Sequence, residues 1–228
     1  DDRLDSDLAG GSDYAEDSRS NRAVFGQWLA DWRPVEAGIG LRYDNNEAFG
    51  EHTTGNANLG FRFSEGLKLV ASYGTAFKAP TFNDLYWPAG RFGFFGNPDL
   101  EPEESRSAEL GVEGRTGWGS WEFRIFETRV QELIVFADTN NDGWVDTPVN
   151  LGEAQIRGAE LSADLAGGGW RVRPSVTYLE PEDEETGNLL PRRAEKSGSL
   201  DVQRTWAGRW TLGGTVLAMS KRYDDAAN

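Results

Sequence analysis

The chain reads as all-β, an antiparallel up-and-down meander of about ten strands. Three observations predict this. Segments of roughly ten residues alternate apolar and polar side chains with period two. Turn residues bound each segment, and short connections alternate with long ones. No stretch carries a convincing helical period.

The segments follow in order. Ala23 to Asp31 is an imperfect first strand. Glu36 to Asp44 puts Ala37, Ile39, Leu41 and Tyr43 on one face, with Gly38, Gly40 and Arg42 on the other. Asn56 to Phe63 sets Ala57, Leu59, Phe61 and Phe63 against Asn58, Gly60 and Arg62. In Leu67 to Phe77, Leu67, Leu69, Ala71 and Tyr73 oppose Lys68 and Ser72. Ser107 to Arg115 opposes Ala108, Leu110 and Val112 to Glu109 and Glu113. The same alternation recurs around Phe123, Leu161, Val176 and Leu200, and less cleanly over Trp210 to Ser220.

The connections at 33–35, 64–66, 116–117, 167–169 and 207–208 are tight, whereas 45–54, 74–104, 136–155 and 180–193 are long. Short turns at one end and long loops at the other are the layout of a bacterial outer-membrane barrel. A Greek-key sandwich does not keep that alternation. The polar face carries Arg, Lys, Glu, Asp and Gly, which suits bulk solvent and a watery lumen equally. On the residues alone, a transmembrane barrel wall and a soluble acidic β-sandwich both stand.

Composition excludes several functions. The 228 residues hold 23 Lys+Arg against 38 Asp+Glu, a net charge of −15, which argues against nucleic acid as a partner. Cysteine is absent, so there is no disulfide framework or thiolate metal site. A single histidine, His52, rules out sites needing two. The acidic N-terminus does not read as a signal peptide, and no apolar run approaches the ~20 residues of a spanning helix. Aromatic content of 12%, with 9 Trp, leans toward the aromatic girdles of a barrel. No GxSxG, phosphate loop or isolated carboxylate pair stands out, so catalysis is not expected.

The stretch from Tyr73 to Glu113 carries the most specific pattern. Tyr73-Gly74-Thr75, Phe77-Lys78-Ala79-Pro80, then Asn97-Pro98-x-Leu100-x-Pro102-Glu103 and Ser105 resemble the barrel of TonB-dependent outer-membrane receptors. Val149-Asn150-x-Gly152-x-Ala154-x-Ile156-Arg157-Gly158-x-Glu160 matches the same family. The segment Asn188 to Ala194, together with the short loops, resembles its cobalamin (vitamin B12) receptors.

The resemblance implies part of a transmembrane β-barrel in the bacterial outer membrane, in contact with lipid and lipopolysaccharide. It implies cobalamin import, with ferric siderophores the alternative cargo. Such a receptor has a plugged barrel of about 22 strands. Residues 1–228 are accordingly expected to be a partial barrel. The plug through which TonB acts and the last strands would lie elsewhere. The open edges are expected to close on each other or to pair with a second copy.

Three groups of residues are candidate sites. The aromatic loop residues Trp87, Phe92 and Phe94 form either packing over the barrel mouth or a platform for a large, partly apolar ligand. By the resemblance, Arg192 would face the bound corrinoid. Asp138, Asn140, Asp142 and Asp146 occupy positions 1, 3, 5 and 9 of a calcium loop with Gly143 at 6. Val149 stands where the bidentate Glu belongs, so an acidic turn without calcium competes with the metal reading. Calcium is the one cofactor suggested. The acidic run Glu180, Glu182 to Glu185 reads as a solvated loop.

Overall fold

The computed structural model describes residues 2–3, 18–87, 94–139 and 146–223. Among them, ten consecutive strands form one antiparallel sheet. These are β1 (Asn21–Trp32), β2 (Val35–Asn46), β3 (Gly50–Ser64), β4 (Leu67–Lys78), β5 (Glu103–Thr116), β6 (Gly119–Ala137), β7 (Thr147–Gly167), β8 (Trp170–Asp183), β9 (Lys196–Trp206) and β10 (Trp210–Met219). Each strand pairs only with its neighbours in the chain. A separate two-residue ladder joins Asp2–Arg3 to Ser18–Arg19.

Register turns sequence alternation into two chemically distinct faces. Ile39, Ala57, Tyr73 and Ala108 lie in one cross-strand row. Leu59, Ala71, Leu110 and Ile125 lie in the next row that shares their face. Paired residues point the same way, so a one-residue slip would send every apolar side chain to the charged side.

Among the described residues no second sheet covers the apolar face. Leu41 is 62% exposed, Leu110 58% and Val176 58%, although all three strands have neighbours on both sides. A sandwich would bury these residues, so the soluble sandwich is excluded for this sheet.

The sheet does not close on itself either, contrary to the first of the two expectations for its edges. β1 and β10 end the ladder and do not pair with each other. Barrel diameter grows with strand number, and a sheet bent to a wide radius does not bring its ends together after ten strands.

The long connections are shorter than their sequence suggests. They span 47–49, 79–102, 138–146 and 184–195. β6 runs 19 residues and β7 21, about twice the 9–11 that cross a bilayer. The excess continues the ladder through Glu127–Gln131 and Glu153–Arg157. Both faces there are polar or mixed, so the strand persists while its apolar signature stops.

One element is unforeseen, the short helix α1 (Phe82–Tyr86) within 79–102. Thr81 caps it. Its Oγ1 accepts from the Asp84 amide at 3.2 Å, and the Asp84 carboxylate accepts from the Thr81 amide at 2.8 Å. α1 buries Phe82 and Leu85.

Candidate ligand vestibule and membrane face

The apolar face is framed by aromatic belts. Trp32, Trp118, Trp170, Trp206 and Trp210 stand exposed at the turn end. Tyr43, Tyr73 and Tyr178 stand exposed toward the loop end. Between them lie Leu, Ile, Val, Ala and Phe. Indole and phenol rings favour the headgroup level, so the two belts mark two interfaces.

The opposite face is a wall of paired charges. Glu36 of β2 pairs with Arg62 of β3 and, at 2.7 Å, with Lys68 of β4. Lys68 also reaches Glu113 of β5 at 3.8 Å. Arg124 of β6 pairs with Glu109 and lies 3.4 Å from Glu113 and 3.3 Å from Glu122. Arg173 meets Asp201 at 2.8 Å, linking β8 to β9. Glycine makes room for these long side chains. A Cβ on Gly60 would lie 2.7 Å from the Lys68 stem, and one on Gly111 3.2 Å from that of Arg124.

Arg124 thus stands between three carboxylates and offsets part of their repulsion. Arg124→Leu should leave them repelling one another and cost about 1–2 kcal/mol, less than a dry ion pair because water reaches the wall. Urea titration in vesicles would measure this. Most of the loss should disappear at 1 M salt, where screening acts within about 3 Å.

At the loop end, the long connections fold over the charged face. Leu190 from 184–195 is 1% exposed and packs on Val130, Leu133 and Ala154, with Val135, Leu151 and Ile156 around them. Loop 79–102 is stitched to the start of β7 by the asparagines of the sequence motifs. Asn97 Nδ2 donates to the Pro148 carbonyl at 3.0 Å. Asn150 Oδ1 accepts from the Glu101 amide at 2.8 Å, and its Nδ2 donates back to the Glu101 carbonyl at 2.9 Å. Leu100 is buried between them in sequence. These residues position the mouth, and the motif carried them before their role was visible.

The structure brings two of the three aromatic candidates together. Trp87 and Phe94 meet edge-on at 6.2 Å, and Phe94 lies 5.6 Å from Phe136 of β6. Phe92 lies outside the described residues. Arg192 is exposed, and its amide donates to the Tyr223 carbonyl at 2.7 Å. His52 stacks on Phe77 at 3.7 Å with Nδ1 3.6 Å from Glu104.

Of the four calcium-loop residues, Asn140 and Asp142 lie outside the described residues. Asp138 directly follows β6. Asp146 is 5% exposed, and its carboxylate already accepts from Thr139, from the amide at 3.0 Å and from the hydroxyl at 2.9 Å. That arrangement ties the two ends of the loop together.

The Thr139 amide, aided by its hydroxyl, holds the Asp146 carboxyl below the usual range, against desolvation. A depressed folded pKa means the contribution is complete above about pH 4 and is lost as pH falls further. Hydrogen exchange at the Thr139 amide should therefore stay slow from pH 7 to 5 and accelerate below about pH 4. Asp146→Asn should show fast exchange already at pH 7.

An apolar belt between aromatic rims, a charged inner wall, short turns on one side and folded loops on the other define the wall of a transmembrane β-barrel. Known relatives narrow this class. The family described as TonB dependent receptor-like, beta-barrel, matches residues 1–228, and the chain belongs to it. Its place is the bacterial outer membrane.

The chain is 35% identical over 223 residues to the vitamin B12 transporter BtuB of Photobacterium profundum, covering 96% of this chain and 35% of that protein. BtuB of Vibrio vulnificus is 34% identical over 192 residues, 84% of this chain and 30% of that protein. The chain thus spans about a third of the length of these curated relatives. Among solved structures, the copper transporter OprC superposes with a TM-score of 0.75 at 18% identity, over 90% of this chain and 36% of that one. A mutant of the ferric enterobactin receptor PfeA from Pseudomonas aeruginosa gives 0.74 at 21%, over 100% and 37%. At such identities the likeness concerns the fold alone.

Proposed function

We infer that this chain supplies wall and mouth to a receptor that imports cobalamin across the outer membrane, driven by TonB. The observation that carries this reading is the 35% identity to a vitamin B12 transporter over nearly the whole chain. The geometry is compatible with it. The loops fold inward over the charged wall, and Trp87, Phe94 and Phe136 present rings at the mouth. A corrinoid is broad, partly apolar and fringed with amides, so rings and an exposed Arg192 suit it. Energy coupling would run through a plug inside the barrel.

Binding to the full-length gene product in outer-membrane vesicles tests this. Cyanocobalamin should bind saturably, ferric enterobactin should not, and uptake by cells should vanish without TonB. Saturable ferric-siderophore binding with no cobalamin binding would move the assignment to the siderophore receptors.

A further inference from the structure

We propose that Arg106, Arg129 and Arg157, on the outward face just beyond the apolar band, hold a phosphate of the outer-leaflet glycolipid, whose acyl chain lies in a trough beside them. This site goes beyond cobalamin import and does not depend on the cargo.

Alternation puts all three side chains on the lipid side. Arg106 stands four residues from Leu110 on β5, Arg129 four from Ile125 on β6 and Arg157 four from Leu161 on β7. Four residues of strand span about 13 Å, so the guanidiniums stand at the loop-side edge of the band. Tyr73 fixes that level, because it shares a cross-strand row with Ala108, Glu127 and Arg157. Its phenol marks the headgroup region, and the long loops of such a barrel face the cell exterior. The outer membrane presents phosphorylated glycolipid on that side, so sugar phosphates are the anions at this height.

The local charges favour an anion. Arg106 and Arg129 stand directly opposite each other across β5 and β6, and like charges so placed repel. Arg106 is exposed and, among the described residues, has neither a hydrogen bond nor an ion pair. A single carboxylate serves the other two: Glu127 lies 2.8 Å from Arg129 and 3.3 Å from Arg157. Within ion-pair distance, three guanidiniums therefore share one acid. Further acids border the patch. Glu104 and Glu153 flank Gln131 one row nearer the loops, and Glu104 is 3.6 Å from His52 Nδ1. On β8, Glu180 and Glu182 stand in register beside Arg157 and Gln155, and Glu180 accepts from the Tyr178 hydroxyl at 3.0 Å. These acids confine the positive potential to β5–β7, where guanidinium forks can take a phosphate bidentately.

Small side chains leave a shallow trough next to this patch. Ala57, Ala71 and Ala108 line it with Tyr73 and Leu110, and Arg157 lines the same cavity. An apolar floor joined to a cation at the headgroup level matches an anionic amphiphile, chain below and phosphate above.

Urea titrations of the full-length gene product in phosphatidylcholine vesicles, with and without lipid A, test this. Bisphosphorylated lipid A should raise the unfolding midpoint of the unsubstituted protein saturably, and lipid A stripped of its phosphates should not. With Arg106→Gln and Arg129→Gln combined, the lipid A fraction giving half the effect should rise about tenfold or more. Without lipid A, Arg106→Gln alone should be no less stable than the unsubstituted protein, since it removes a like-charge pair. A merely structural arginine would lose stability there too. Arg173→Gln removes a guanidinium from the inner wall and should leave the lipid A response within about twofold.

No response of the unsubstituted protein, an unchanged response in the double variant, or an equal response to dephosphorylated lipid A would overturn the site. An equal response to phosphatidylglycerol, or abolition of the response by inorganic phosphate, would reduce it to an ordinary anion patch and overturn the glycolipid assignment. Cyanocobalamin binding is read in the same vesicles, so the cobalamin reading stands or falls separately.

Discussion

Leu110→Arg should cost about 2–4 kcal/mol of folding stability in lipid, the penalty for a cation on the lipid face near the bilayer midplane. Leu110 sits on β5, with β4 and β6 on either side, yet is 58% exposed. Its row neighbours are Ala71 and Ile125. Nothing among the described residues covers it, so acyl chains must. The matched control is Thr177→Arg. Thr177 lies on the other face, with its hydroxyl 3.5 Å from Glu160. An arginine there faces water and gains a carboxylate neighbour, so its cost should stay within about 0.5 kcal/mol. Urea titrations followed by tryptophan emission, with the full-length gene product in phosphatidylcholine vesicles, would give both numbers. Equal tolerance at the two positions would mean that the apolar face does not meet lipid.

This contrast rests on the part of the structure most legible in the sequence. Alternation named every strand and both faces, because the pleat forces period two wherever one face is greasy. Legibility ended where the grease ended. Glu127, Arg129, Gln155 and Arg157 sit in a ladder as regular as that below them, but put polar side chains on the face that is apolar further down. Their strand character comes from backbone hydrogen bonds, which composition does not advertise. The Thr81–Asp84 capping pair that starts α1 was not read from the sequence. A helix of five residues is too short to show a period of 3.6.

The mouth was legible in part, and for different reasons. Asn97 and Asn150 stood out as motif residues, but their bonds to Pro148 and Glu101 join positions about fifty apart in the chain. Only pairing β5 through β7 brings those positions together. Arg192 and Arg193 are chemically identical neighbours. Yet Arg192 is exposed and Arg193 half-buried, and the left-handed backbone at Arg192 between them carries no local signal, since arginine seldom adopts that conformation.

Leu190→Ala is expected to open the mouth without melting the wall. Leu190 is 1% exposed, and its side chain is the anchor of 184–195 on β6 and β7. Removing a buried leucine leaves a cavity and typically costs 2–5 kcal/mol. Here the lost contacts are confined to Val130, Leu133, Ala154 and their surround. The β8–β9 ladder from Trp170 to Tyr178 does not involve Leu190, so global unfolding in urea should shift little. The cost falls on the connection itself, whose other ties include the Glu184 amide to the Glu153 carbonyl, the Leu190 amide to Pro181 and the Arg192 amide to Tyr223. An opening made easier by about 2 kcal/mol raises the open population roughly thirtyfold, and proteolysis that follows this population rises in step. Trypsin should therefore cut after Arg192 and Arg193 at least about thirty times faster in the variant, while the strands stay intact. Unchanged cleavage at 192–193, or a drop in the global midpoint of the size expected for Leu110→Arg, would show that Leu190 belongs to the wall and not to a separately hinged mouth.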